Sequence, residues 1–369
     1  MSTAPGSHWF KRFLLPGFAF KAVVIGGGYA TGRELAEFFL PAGPWGGLAA
    51  MALATAIWSL VATATFWFAR RTATRDYRSF FQALLGPGWI VFEIAYAAFI
   101  VLILAVFGAA AGAIAAATLG VPPIFGTLAL MAAIGGCVAF GNSAVERLFA
   151  WVSVLLYGVY AVFLVLALSR FGPAISTAFA NSPPPASGWM LGGITYAGYN
   201  IIGAVVILPV TRHLTSDRDA VIAGIASGPL AMLPALLFFI CMCAFLPGIA
   251  GETLPSDYML VRLGVPFFHL VFQTMIFAAL LESGTGGVHA INERIARASG
   301  RLSTSMRAAI ALGLLMVSML LADRIGLVAL IASGYRALAW LLIAIYVLPL
   351  LLICGYRLAR SRAPSPEVA

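Results

Sequence analysis

The sequence predicts an all-α polytopic membrane protein of about ten transmembrane helices. Three observations carry that reading. The 369-residue chain is 62% hydrophobic and only 9% charged, with a mean hydropathy of +0.99. Apolar runs near or beyond the roughly 20 residues that span hydrocarbon recur along its whole length. Its basic residues gather in the short segments between those runs. A soluble domain cannot hide so much apolar surface, because its area-to-volume ratio forces polar residues outward. A bilayer can, so residues 1–369 read as one transmembrane domain.

The expected spans are 16–40, 45–69, 88–118, 123–141, 144–169, 188–210, 218–246, 266–290, 304–323 and 326–355. Lys11 and Arg12 precede the first apolar run as in a signal peptide, but the run continues through Gly26 to Arg33 without a cleavage site, so it is read as a retained span. Assigned alternately, the loops put the clusters at Lys11/Arg12, Arg70–Arg78, Arg294–Arg307 and Arg357–Arg362 on one side. Only Arg170, Arg262 and Arg324 fall on the other. This asymmetry predicts an even number of spans with both termini in the cytoplasm of a bacterial inner membrane. It also accounts for the net charge of +9 without a nucleic-acid partner, which would need a continuous basic stripe. Cys137, Cys241, Cys243 and Cys354 sit inside apolar runs without disulfide or metal spacing and read as packing residues.

The connections carry ordinary punctuation. Ser143-Ala-Val-Glu146 is a capping-box pattern before the fifth span, and Ser216 with Asp219 is a variant before the seventh. Arg75 to Phe81 suggests a short interfacial helix. Residues 181–187 are Pro-rich and irregular, and 253–264, opening near Pro255 and closing at Gly264, suggest a short helix over the outer face. The tail 357–369 reads as a disordered cytoplasmic segment.

Three spans contain residues that hydrocarbon should exclude. The first reads Gly26-Gly27-Gly28-Tyr29-Ala30-Thr31-Gly32-Arg33-Glu34. Each glycine weakens a helix by about 1 kcal/mol relative to alanine, and a central charge adds several more. Non-helical backbone survives at that depth only where it lines a cavity or is buried in protein. A discontinuous helix follows, its outer half starting near Tyr29 to Gly32. Close helix packing through small residues would explain the glycines but not Arg33, Glu34 and Glu37. The sixth span has a counterpart, Gly192-Gly193-Ile194-Thr195-Tyr196-Ala197-Gly198-Tyr199-Asn200. Interrupted spans at matching positions of two halves are the sequence sign of a transporter site, and the expected unwound segments are 26–30 and 196–200. The eighth span carries Glu282-Ser283-Gly284-Thr285 and His289, with Glu282, Thr285 and His289 on one face. A carboxylate at that depth needs a cation, a proton or a partner side chain. Glu93, His269 and Gln273 lie nearer span ends and read as interfacial. Arg336 lies deeper, about 15 Å into the tenth span at 1.5 Å per residue.

The segment 26–34 resembles the first-helix signature of YkvI-type membrane proteins, a group that looks like a distant branch of the amino acid–polyamine–organocation superfamily. The resemblance implies a LeuT-type fold of two inverted five-helix repeats, here 13–175 and 185–356, with helices one and six broken. It implies a substrate site at Gly26, Gly27, Gly28, Tyr29, Ala30, Thr31, Gly32, Tyr196, Gly198, Tyr199 and Asn200. Ser283 and Thr285 resemble the hydroxyls that hold sodium in relatives, while Glu282 departs from that pattern and brings proton coupling into view. Glu282, Ser283, Thr285 and His289 are therefore the expected coupling residues for Na+ or H+. The Asp-Pro-Gly-Asn first helix of the metal-transporting branch is absent, and no metal is expected. Relatives close the outer path with an arginine on helix one and an acid on helix ten. Here the polarity reverses, with Glu34 or Glu37 facing Arg336 and Arg33 able to pair with Glu37 at i,i+4.

The expected function is a secondary transporter, by alternating access, for a small polar, amino-acid-like solute. Helix-one N–H groups suit a carboxylate. A membrane receptor that keeps the pocket without turnover shares every one of these motifs. A channel lacks a filter motif here, and an enzyme lacks a nucleophile with its base or a His-Glu metal spacing.

Overall fold

The computed structural model describes residues 5–25, 27–140, 143–299 and 303–362. Gly26, the side chains of Ser143 and Glu146, and the tail beyond Arg362 lie outside the described residues. A short helix α1 (Pro5–Phe13) leads to a first span in three pieces, α2 (Leu15–Val24), α3 (Gly27–Ala30) and α4 (Arg33–Phe38). The second span is α5 (Gly43–Arg71), followed by the surface helix α6 (Tyr77–Leu85). Spans three to five are α7 (Trp89–Leu119), α8 (Pro123–Phe140) and α9 (Ser143–Ala180). The sixth divides into α10 (Trp189–Asn200), α11 (Ile202–Val206) and a 3-10 turn, Leu208–His213. The seventh is α12 (Asp217–Cys243); α13 (Pro255–Leu263) precedes the eighth, α14 (Pro266–Ser299), and the ninth, α15 (Thr304–Ile325). The tenth comprises α16 (Leu327–Ala329), α17 (Arg336–Leu342) and α18 (Leu348–Arg362), separated by π-helical turns at Leu330–Tyr335 and Ile343–Val347.

Among the described residues, eight stretches are long and apolar enough to cross a membrane. The shorter apolar helices Leu15–Val24 and Pro123–Ala139 supply the first and fourth crossings. The predicted short helices form where expected. Asp76 caps α6 by accepting from Ser79 N at 3.0 Å, and Ser216 with Asp219 closes a full capping box on α12. Such caps satisfy N–H groups that have no intrahelical partner.

Close approaches sort the spans into two groups. Where apolar contact with lipid tails supplies no driving force for association, small residues and interhelical hydrogen bonds hold helices together. A Cβ on Gly224 of α12 would meet Thr63 of α5 at 2.4 Å, and one on Gly228 would meet the Thr55 carbonyl at 2.5 Å. Ser59 Oγ donates to the Ile225 carbonyl at 2.9 Å in the same seam. Gly192 of α10 lies as close to the Phe38 carbonyl, and Gly193 to that of Ala50. Spans one, two, six and seven thus form one packed unit. At the face bearing α1, Arg12 clamps Asp219 with both ends of its guanidinium, at 2.7 and 3.0 Å. Arg70 and Arg71 hold Asp217 at 2.6 and 2.5 Å. A second unit contains spans three, four, eight and nine. In it Thr127 Oγ1 donates to the Gly108 carbonyl at 2.8 Å, Ser318 Oγ to that of Val101 at 3.2 Å, and Gly284 abuts Ile134.

The glycines of the sixth span therefore serve packing, which corrects one expectation. Residues 196–200 are not unwound. α10 continues to Asn200, Ile201 N bonds the Ala197 carbonyl at 3.1 Å, and Trp58 Nε1 donates to that same carbonyl at 3.2 Å. The interruption comes one residue later, where Ala204 N reaches back only to Ile201 at 3.0 Å and the chain tightens by one position. Gly198 is pressed against Ala339 and Ile343 of the tenth span.

The seam between α5 and α12 can be tested directly. Gly224→Val should overpack it by about 1–3 kcal/mol and lower the thermal midpoint of the detergent-purified protein by several degrees. Gly313→Val, where a Cβ meets nothing within 4 Å, should leave that midpoint unchanged.

Candidate functional site

The break in the first span is built around Gly32. Its φ of +78° is left-handed, and a Cβ there would stand 2.7 Å from the Phe238 ring, so both conformation and space require glycine. Gly32 N closes a tight turn on the Tyr29 carbonyl at 2.9 Å, and Arg33 N takes the Thr31 hydroxyl at 3.3 Å. The Thr31 carbonyl, freed by the break, accepts from Ser256 N in the first turn of α13 at 2.9 Å. Arg33, only 5% exposed, donates to the Ala250 and Glu252 carbonyls at 2.9 Å each and to Glu37 at 2.8 Å. One guanidinium thus ties the half-helix α4 to the loop between spans seven and eight. Tyr29 packs beside Tyr160, Ala30 faces a lateral cavity with Lys21 and Tyr157, and the side of the turn at Gly27 and Gly28 lies outside the described residues.

Beyond the turn, Glu34 points inward and is buried. Its carboxylate accepts a hydrogen bond from the Tyr199 hydroxyl of α10. Tyr199 stacks on Tyr335 of the tenth span at 4.4 Å between ring centres, and Phe38 and Tyr196 stand within 6 Å of it. Glu34, Tyr199, Asn200 and Tyr335 share a cavity of about 30 Å³ with Phe99 and Phe107 of α7. That is room for a water molecule or two and too little for an amino acid. Asn200 Nδ2 is committed to the Tyr196 carbonyl at 3.1 Å. The Tyr196 hydroxyl is buried without a hydrogen-bond partner.

Two larger cavities flank this one. On the face opposite α1, a cavity of about 220 Å³ is lined by Glu37, Phe38, Trp189, Thr195 and Arg336. The Thr195 hydroxyl is buried there without a partner. On the basic face a cavity of about 450 Å³ is lined by Tyr77, Trp89, Glu93, Tyr96, Val205 and Arg294. The Arg294 guanidinium lies over the rings of Tyr96 and Tyr77, at 3.2 and 3.7 Å, and 3.7 Å from Glu93. Tyr77 donates to Glu93 at 3.1 Å. Each step between cavities is about one helical turn: Glu37 to Glu34 on α4, Phe99 to Tyr96 on α7, and Ile202 to Val205 on α11. The three cavities therefore lie in file along spans one, three and six.

This arrangement divides the expected gate residues. Glu37 faces Arg336, at 3.8 Å, and shares itself with Arg33. Glu34 does not face Arg336, because the turn at Gly32 rotates it toward Tyr199. The eighth span is divided as well. Glu282 is half-buried and near enough to the Tyr157 phenol of α9 to act on it electrostatically. Thr285 turns back to the Leu281 carbonyl at 2.7 Å, and Ser283 and His289 are exposed, so neither of those two is brought to the cavities. His269 and Gln273 both bind Asp257 of α13 at 2.7 Å, pinning that helix to the eighth span. Among the described residues, no three His, Cys, Asp or Glu side chains gather as a metal ion would need. The sequence reading missed Tyr335, Phe99, Phe107 and the Tyr77–Tyr96–Arg294 cluster. The first three fall in ordinary apolar runs, and the cluster joins Arg294 to two tyrosines roughly two hundred positions earlier with no shared motif.

No known family profile matches the chain. It is similar to YkvI of Bacillus subtilis (strain 168), described as an uncharacterized membrane protein. The two are 22% identical over 287 residues, which cover 75% of this chain and 79% of that one. Among solved structures it resembles MhsT in complex with L-phenylalanine (TM-score 0.58, 18% identity, 94% of this chain and 96% of that one). It also resembles a Na+-coupled sialic acid symporter (TM-score 0.61, 16% identity, 90% and 79%) and a manganese transporter of Eremococcus coleocola (TM-score 0.53, 15% identity, 99% and 91%). At these identities the shared property is the fold, and this chain has the LeuT-type fold with its first and sixth helices interrupted.

Proposed function

We propose that the protein is a secondary transporter that carries a small polar, amino-acid-like solute by alternating access around the cavity at Glu34 and Tyr199. The observation that carries this reading is the file of three cavities, wide at each face and pinched to about 30 Å³ in the middle. A solute passes such a file only if the middle widens while one end closes. The two packed units supply the parts that would move, and the fold is shared by MhsT, which binds L-phenylalanine, by a Na+-coupled sialic acid symporter and by a manganese transporter. The basic face is the cytoplasmic one, as the excess of arginine requires. The acid on the first helix and the base on the tenth form a gate on the outer face. Arg336 is 52% exposed and sits 3.8 Å from Glu37. Such an exposed pair contributes about 0–1 kcal/mol, which suits a contact that breaks in every cycle.

Reconstituted into proteoliposomes, the protein should accumulate a tritiated L-amino acid from a panel of the common ones above its external concentration when a sodium or pH gradient is imposed. Saturable binding without accumulation would identify a receptor instead. The gate is read separately. Glu37 also serves Arg33, so swapping charges between 37 and 336 would set two guanidiniums at i,i+4. The informative change is Arg336→Gln alone. In intact cells it should speed the labelling of Thr195→Cys by a membrane-impermeant thiol reagent several-fold. Unchanged labelling would remove Arg336 from the gate, and labelling confined to inside-out vesicles would reverse the orientation.

A further inference from the structure

We infer that Glu34 is a proton-binding residue of the central cavity, loaded and unloaded as the cavity opens to one face and then the other. The inference rests on the transporter reading for its role, but its chemistry stands on the geometry of the carboxyl group itself. Glu34 is 4% exposed at a depth where an ionised carboxylate needs a counter-charge. Its hydrogen-bond partner is a neutral phenol, Tyr199. Every packed element offers the same answer. From α10 come Tyr196 and Tyr199, from the π turn of span ten Tyr335, and from α3 Tyr29. The facing part of α7 gives only Phe99, Ile103 and Phe107. The nearby loop reaches this stretch through the Ala250 and Glu252 carbonyls, which Arg33 holds. Arg33 spends its guanidinium on Glu37 and those two carbonyls, and Glu37 lies a turn away in another cavity.

The cavity is too small for an amino acid in this conformation but admits water, through which a proton can come and go. Sodium is the weaker candidate. It needs about five or six oxygens, as other hard cations do. Here Val23 and Val24 of α2 and Phe99, Ile103 and Phe107 of α7 make much of the wall hydrocarbon, which leaves a cation bare on those sides. The proton balance is simple: the carboxylate Oε takes H+ from water on one face and returns it to water on the other, with no bond to carbon made or broken. This assigns to the first span the role that the sequence pointed to in Glu282.

The test reads the proton directly. In infrared difference spectra of the detergent-purified protein titrated through the neutral range, wild type and Glu282→Gln should show the carbonyl stretch of a protonated carboxyl group appearing as pH falls. Glu34→Gln should lack it. Glu34→Asp should move the band rather than remove it, which keeps the assignment available if the Gln variant folds poorly. A band retained in Glu34→Gln, or lost in Glu282→Gln, overturns the proposal, as does a wild-type protein with no titrating carboxyl band. The spectra need no solute, so a protein that binds a proton at Glu34 but accumulates nothing would refute transport and leave this site standing. In vesicles, the amino acid that accumulates should respond to an imposed pH gradient in wild type, and Glu34→Gln should be slower and indifferent to it. Accumulation driven by sodium alone would also overturn the proposal.

Discussion

A helix that stops and restarts inside hydrocarbon leaves peptide groups that no lipid can satisfy. In this protein the break at Gly32 is the point where that debt falls due, and the loop between spans seven and eight meets it. The Thr31 carbonyl takes an N–H from α13, and Arg33 spans from the restarted helix to two carbonyls of the same loop. Hydrogen bonds to charged groups are the strong ones, about 1.5–3 kcal/mol each, so a single buried arginine holds a two-turn helix that is too short to hold itself. Without that tether α4 would keep its contacts with α10, Glu34 to Tyr199 and Phe38 against Gly192. With it, Glu34 is aimed at Tyr199 and Glu37 at Arg336.

Much of this was legible from residue types alone. The spans followed from apolar length, the capped start of α12 from Ser216 with Asp219, and an interrupted first helix from four glycines beside two charges, although Gly27–Ala30, expected to be unwound, forms α3 and the turn falls at Thr31 and Gly32. The i,i+4 pair of Arg33 and Glu37 formed as its spacing required. What misled was the sixth span. Glycine weakens a helix by the same amount whether it marks a break or a close contact, so Gly192, Gly193 and Gly198 look alike in sequence. Only the presence of Phe38, Ala50 and Ala339 against them shows that they pack. The separation of Glu34 from Glu37 was likewise hidden. Their three-residue spacing puts them on one face of a continuous helix, and either was expected to face Arg336. In the folded chain they line different cavities, Glu34 with Tyr199 and Tyr335 and Glu37 with Arg336.

The two packed units give the fold its division of labour. Spans one, two, six and seven are joined by glycine seams and by the arginine clamps on Asp217 and Asp219. Spans three, four, eight and nine are joined by their own hydroxyl-to-carbonyl bonds. Between them lie aromatic rings: Phe38, Tyr196 and Tyr199 above Glu34, Phe99 and Tyr96 below it. Flat rings slide and rotate past one another at small cost compared with breaking a buried ion pair. Ring contacts are thus common around Glu34, while glycine seams, hydrogen bonds and ion pairs hold each unit together.

The central claim is that the flanking cavities open in turn around the closed middle. It is tested most directly by pulsed electron-paramagnetic-resonance distances in lipid nanodiscs between two pairs of spin labels. One pair, at Ser187 and Val265, spans the face opposite α1, and the other, at Arg212 and Ser305, spans the basic face between the two packed units; all four positions are exposed. The account predicts two populations at each face that trade against one another as pH and solute are changed, so that the long distance at one face accompanies the short distance at the other. Distances that stay fixed at both faces, or that lengthen together, would contradict it.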